Sequence, residues 1–130
     1  MLLLRTVITV LCAIGFYASV FMLRKSLVAA RGELIEPSVV ESERARLYFG
    51  VPNSAIGVCY YAAVAAVSWL TGNTAALAIV LAAVVFAACT SAYLAYSLLF
   101  VTKRSCPYCW SAHAVNWGLL AAFPWLLALR

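Results

Sequence analysis

Apolar residues in this chain come in four long blocks, without the alternation or one-sided periodicity of a soluble fold. Residues 2–23 carry a single charge, Arg5, near the outer end. Residues 54–70 and 75–101 contain no charged residue, and in 110–129 His113 is the only ionisable group besides cysteine. At about 1.5 Å per residue these blocks are roughly 26–40 Å long as helices, against a hydrocarbon core of about 30 Å. Backbone amides in lipid must be satisfied within the chain, so such runs are helical. The pattern predicts an all-α fold: a four-helix transmembrane bundle forming a single integral membrane domain over residues 1–130. Its spans are expected at about 2–23, 54–70, 75–101 and 110–129, with one long capping loop, 24–53, between helices 1 and 2. Val28-Ala29-Ala30 resembles a signal-peptide cleavage site. The preceding apolar run, however, far exceeds an h-region of about 7–15 residues, so the first block is read as a retained anchor.

The connections set which ends meet. Pro52 disfavours helix before it, and Asn53 or Ser54 is placed to cap the second helix. Thr71-Gly72-Asn73-Thr74 reads as a tight turn and residues 102–105 as a short link, so helices 2 and 4 each run antiparallel to helix 3. The heads of helices 2 and 4 then share one end with the long loop. That loop holds all four acidic residues, Glu33, Glu36, Glu41 and Glu43, interspersed with Val39, Val40 and Leu47. This composition suits a lid with its apolar residues on the bundle mouth. On helix 3, Ala83, Ala87, Ser91 and Ala95 recur at every fourth position, a small-residue stripe read as close helix packing.

Composition agrees with the pattern. The chain is 67% hydrophobic and 10% charged, with a mean hydropathy of +1.03, outside the soluble globular range. The net charge of +5 comes from few basic residues. Arg24, Lys25, Lys103, Arg104 and Arg130 sit at helix ends, where they anchor to lipid headgroups, so membrane lipid and not nucleic acid is the expected partner. The loop-bearing face carries seven Lys/Arg, counting Arg31, Arg44 and Arg46, against Arg5 and Arg130 opposite. The positive-inside rule alone places the richer face in the cytoplasm.

Of five cysteines, Cys12, Cys59 and Cys89 fall within helices as small apolar residues. The other two form Cys106-Pro107-Tyr108-Cys109 at the head of helix 4. Cys106 is placed as N-cap and Pro107 as the first helical residue. Unpaired N–H groups and the positive dipole end stabilise a thiolate there, the attacking species in thiol–disulfide exchange. Cys109 lies about one turn deeper. Cys106 is therefore expected to be the more water-accessible thiol and Cys109 the more buried. His113 follows Cys109 by four residues and Cys106 by seven, which puts all three on one helix face, with Asn116 close to it. An ionisable residue inside a membrane helix is a functional candidate. One cavity is expected around Asn53, Cys109 and His113. A structural zinc site needs four ligands, and one cysteine pair plus one histidine falls short, so no metal is expected.

Four spans, a long first loop, Phe49-Gly50-Val51-Pro52-Asn53-Ser54 leading into helix 2, Tyr93-Leu94-Ala95-Tyr96 in helix 3 and the CxxC at the head of helix 4 together resemble the vitamin K epoxide reductase family. The resemblance covers nearly the whole chain. It implies a quinone-linked thiol–disulfide oxidoreductase that passes electrons from a thioredoxin-like partner through the catalytic pair Cys106 and Cys109 to a membrane quinone of the menaquinone, ubiquinone or vitamin K type. By the same resemblance Cys109 faces the quinone, Cys106 exchanges with the partner, Asn53 hydrogen-bonds a quinone carbonyl and His113 lies near the quinone's other end. It also implies an extracytoplasmic CxxC face, the orientation adopted here against the charge count. The chain departs from the family pattern in one respect. No cysteine occurs between residues 24 and 52, where a relay pair is expected and the chain reads Glu36-Pro37-Ser38-Val39-Val40-Glu41-Ser42-Glu43. Two readings follow: direct exchange with a partner's thiol, or a non-catalytic subunit of a larger membrane complex that holds quinone or lipid or acts structurally.

Overall fold

The structure is a computed structural model and describes residues 2–32, 51–70, 72–103 and 106–129. Four helices account for it: α1 (Leu2–Ala30), α2 (Asn53–Leu70), α3 (Thr74–Tyr96) and α4 (Pro107–Ala128). The expected all-α, four-helix bundle is present. Most of the capping loop, including Val39, Val40, Leu47 and the four glutamates, lies outside the described residues, and so does the lid assigned to it.

Helix starts follow local chemistry. Asn73 caps α3, its side-chain oxygen accepting the Ala75 N–H at 2.8 Å. The Pro52 carbonyl accepts from Ala55 N–H at 3.0 Å and opens α2 one residue before the predicted span. Helix α1 departs from expectation at its far end, because residues 24–30, read as loop, are helical. Arg24 and Lys25 are good helix formers, and no glycine or proline lies between them and Gly32. Lys25 also holds its ammonium 5.8 Å from the centre of the Phe21 ring. The helix stops where Gly32 takes φ +72°, a C-terminal conformation that suits glycine. After Tyr96, α3 widens into a π-helical segment, Ser97–Thr102, which ends at Lys103 in the left-handed region, φ 53°.

Three of the helical stretches, Leu2–Ala30, Asn53–Leu70 and Thr74–Val101, are long and apolar enough to cross a membrane. In α4 the apolar sequence is interrupted by His113, Asn116 and Pro124. Its polar groups turn inward, with His113 buried and Asn116 bonded within the bundle, so the interior and not lipid receives them. Helix α1 packs against α2 on one side and α4 on the other, and α4 packs against α3. The α2–α3 seam is thin despite the short turn that joins them.

One end of this bundle is solid. Ile8, Cys12, Tyr61, Val64, Leu77, Val84, Val115, Leu119, Phe123 and Leu126 form a single buried cluster drawn from all four helices. Lipid tails are as apolar as leucine, so close packing and not water exclusion holds these helices together. Gly15 shows how close the packing is: a Cβ there would come within 2.6 Å of the Tyr61 ring. Large apolar side chains such as Ile79, Phe86 and Trp125 remain on the outside, as a lipid-facing surface requires. At the rim of this end, Trp69 Nε1 donates to Thr9 Oγ1 at 2.7 Å, tying α2 to α1 beside Arg5.

Candidate active site

The other end of the bundle is hollow. A cavity of about 370 Å³ opens between the second half of α1, the first half of α2, the second half of α3 and the head of α4. Its walls are mostly small or apolar: Ala18, Gly57, Ile56, Ala83, Ala87, Leu94, Leu98 and Ala112. Asn53, Cys109 and His113 all line it, so the side chains picked out from three points of the sequence do meet around one space.

The head of α4 forms as its residue order implies. Cys106 is extended, φ −145° and ψ 90°, and Pro107 opens the helix. The Cys106 sulfur accepts the Cys109 N–H at 3.2 Å and is bonded to the Cys109 sulfur in a disulfide, with Cα atoms 5.2 Å apart. Tyr108, between the cysteines, stacks on Phe21 with ring centres 3.9 Å apart and fastens this turn to α1. Cys106 is the N-cap expected of it.

The accessibility of the two sulfurs runs opposite to expectation. Cys106 is 6% exposed and packs beneath Met22 and Leu98, its Sγ 3.9 Å from Met22 Sδ, whereas Cys109 is half-buried on the cavity wall. Two local features explain this. Capping turns the Cys106 sulfur inward over the first turn of α4, and Met22 of α1 together with Leu98 after α3 packs against it.

A hydrogen-bonded floor divides the cavity from the solid end. Tyr61 donates its hydroxyl proton to Asn116 Oδ1 at 2.7 Å, and Asn116 Nδ2 donates to Ser91 Oγ at 2.6 Å. One chain of bonds thus joins α2, α4 and α3 at the point where tight packing gives way to space. Among the described residues the buried His113 Nδ1 and Tyr60 hydroxyl have no hydrogen-bond partner. His113 is held between Trp110, edge-on at 6.0 Å, and Trp117 at 6.3 Å.

The sequence reading missed Tyr60, Tyr61 and Ser91 as site residues. Tyr60 follows Asn53 by seven residues with Ile56 and Gly57 between, the stripe of one helix face, so its position was readable once Asn53 was chosen. Ser91 belonged to the small-residue stripe assigned to close packing. That assignment is corrected: Ala83, Ala87 and Ser91 line the cavity, and their small side chains leave room where larger ones would fill it.

An apolar helical bundle with a disulfide at one helix head, beside an open-sided and sparsely polar cavity, defines the class of a membrane protein with a thiol–disulfide site. Residues 6–123 match the vitamin K epoxide reductase family, and the chain belongs to it. That family consists in general of membrane thiol–disulfide oxidoreductases associated with quinones. No curated protein matches the chain.

Proposed function

We propose that this protein is a quinone-linked thiol–disulfide oxidoreductase that takes two electrons from a thioredoxin-like dithiol partner and delivers them to a membrane quinone. The observation that carries the reading is the juxtaposition of Cys109 with Asn53 and His113 on the walls of one cavity. The space suits such a ligand. Small-molecule pockets run from roughly 300 to 1,000 Å³, mainly apolar with a few convergent polar groups. Asn53 and His113 supply such groups for carbonyl oxygens.

The chain's own residues act as follows. A partner thiolate attacks the Cys106–Cys109 bond and forms a mixed disulfide, while the other sulfur leaves as a thiolate at the head of α4, where backbone N–H groups stabilise it. The partner's second thiol then displaces the mixed disulfide and leaves as a disulfide, and the chain is left as a dithiol. When Cys106 and Cys109 re-form their bond, two electrons and two protons leave, and a bound quinone accepts them as the hydroquinone. Asn53 and His113 orient the quinone, and the apolar walls exclude water from it.

With no cysteine in residues 24–52, the partner serves this pair directly. The CxxC face is assigned to the extracytoplasmic side, where dithiol oxidation belongs. The same missing cysteines favour a second reading, a non-catalytic subunit that holds quinone or lipid within a larger membrane complex. One assay separates the two. Purified protein supplied with dithiothreitol should reduce 2-methyl-1,4-naphthoquinone, and Cys109→Ala should abolish the activity. Reduction that survives Cys109→Ala removes the proposed route. Failure of the intact protein to reduce the quinone, with stoichiometric membrane partners that co-purify whether or not Cys106 is changed to Ser, establishes the subunit reading.

A further inference from the structure

The two sulfurs of the pair stand in different surroundings, and thiol–disulfide exchange depends on which sulfur an incoming thiolate can reach. Cys106 packs with Leu98 and with Met22, whose Sδ lies 3.9 Å from its Sγ, and little of it is exposed. Cys109 is half-buried and lines the cavity. It is the third residue of α4, and Asn53, the first of α2, lines the same cavity, so this space extends to the heads of both helices. Pro107 and Lys103 nearby are exposed. An attacking thiolate needs open space at the sulfur it strikes, whereas the other sulfur only has to leave with its charge stabilised. Cys106 suits the second role. As N-cap of α4 it accepts the Cys109 N–H at 3.2 Å, at the positive end of the helix dipole.

We infer that the partner's thiolate attacks Cys109 and that Cys106 is the leaving sulfur, the reverse of the order implied by the family resemblance. The partner's sulfur bonds to Cys109 Sγ, the Cys106–Cys109 bond breaks, and Cys106 departs as a thiolate beneath Met22 and Leu98. The partner's second thiolate then attacks the partner's own sulfur, closes the partner's disulfide and releases Cys109 as a thiolate. Two electrons have then entered the pair, and protons from the two partner thiols balance the two thiolates. Partner and quinone therefore use the same sulfur, and they act on it in turn. The inference rests on the oxidoreductase reading above and adds to it the sulfur that receives the partner.

The test maps the first covalent product and not turnover. Purified, oxidised protein is mixed with 2-mercaptoethanesulfonate, a charged monothiol that cannot close a disulfide of its own, and quenched with acid at early times. The quenched protein is unfolded, alkylated with N-ethylmaleimide and peptide-mapped, so the attacked cysteine carries the sulfonate and the leaving one the maleimide. The sulfonate should sit on Cys109 in about tenfold excess, the partition that a barrier difference of about 1.4 kcal/mol produces. Removing the cover with Met22→Ala and Leu98→Ala together should shift the adduct toward Cys106. A sulfonate found mainly on Cys106, or equally on both, in the unmodified protein overturns the inference and leaves the oxidoreductase reading standing. A partition unmoved in the double variant overturns the steric basis of the assignment. If neither cysteine takes the thiol in the folded protein while both do in urea, the pair is closed to thiols, and the functional reading falls with the inference.

Discussion

The two ends of this bundle are built from the same four helices, yet one is packed and the other is hollow. At the solid end Ile8, Leu77, Leu119, Phe123 and Leu126 interlock with almost no exposed surface. At the hollow end the inward positions are Ala18, Ser19, Gly57, Ala83, Ala87 and Ala112. Both sets are compatible with a membrane helix, and overall hydropathy does not separate them. Side-chain volume does: large residues close one end, and small residues facing one another across the bundle leave space at the other. The Tyr61–Asn116–Ser91 bonds mark the boundary. The solid end holds the helices in register so that the hollow end can stay open beside a disulfide.

Substitutions that exchange the properties of the two ends should have opposite effects. The largest concerns chemistry: Cys109→Ala should reduce dithiol-driven quinone reduction to background, measured spectrophotometrically. Next comes filling the hollow. Ala87→Phe should abolish fluorescence-detected naphthoquinone binding while helical content and melting temperature hold. A filled cavity that still binds would show that the ligand sits elsewhere. Emptying the solid end should do the reverse. Phe123→Ala, at a residue with no exposed surface, should cost about 3–5 kcal/mol of stability in a denaturant titration and leave naphthoquinone affinity nearly unchanged.

Smaller effects are expected at the boundary and the lip. Asn116→Ala leaves the Tyr61 hydroxyl and Ser91 without their partner and should destabilise the bundle by about 1–3 kcal/mol, read from the same titration. Met22→Ala should uncover Cys106. Iodoacetamide labelling of the reduced protein, mapped by mass spectrometry, should then proceed faster at Cys106 with little change at Cys109. If Cys106 is already the faster-labelled residue in the unmodified protein, the Met22 cover does not operate in solution.

Much of this arrangement could be read from the sequence. Uninterrupted apolar blocks dictate helices in lipid, the two short links fix which heads meet, and Cys-Pro at the start of a block prescribes an N-cap. The features that escaped depend on what lies opposite. The run of small residues at 83, 87 and 91 looks the same whether a neighbouring helix approaches or stands away, and only the thin α2–α3 seam decides between them. The burial of Cys106 depends on Met22 of α1 and Leu98 after α3, two residues far from it in sequence that pack against its sulfur. Tyr60 and Tyr61 are equivalent as letters in a sequence, and Asn116 on another helix makes them different.

The central claim is that the Cys106–Cys109 pair gives its electrons to a quinone without any other cysteine as a relay. A single-turnover measurement tests it most directly. The protein is reduced, freed of reductant under anaerobic conditions, and mixed with one equivalent of 2-methyl-1,4-naphthoquinone. Hydroquinone is then followed optically and remaining thiols by maleimide labelling and peptide mapping. The account predicts about one hydroquinone per chain, with the lost thiols confined to Cys106 and Cys109, the balance that two-electron transfer from a dithiol requires. Hydroquinone formation without loss of these two thiols, or no hydroquinone while both remain reduced, would contradict it.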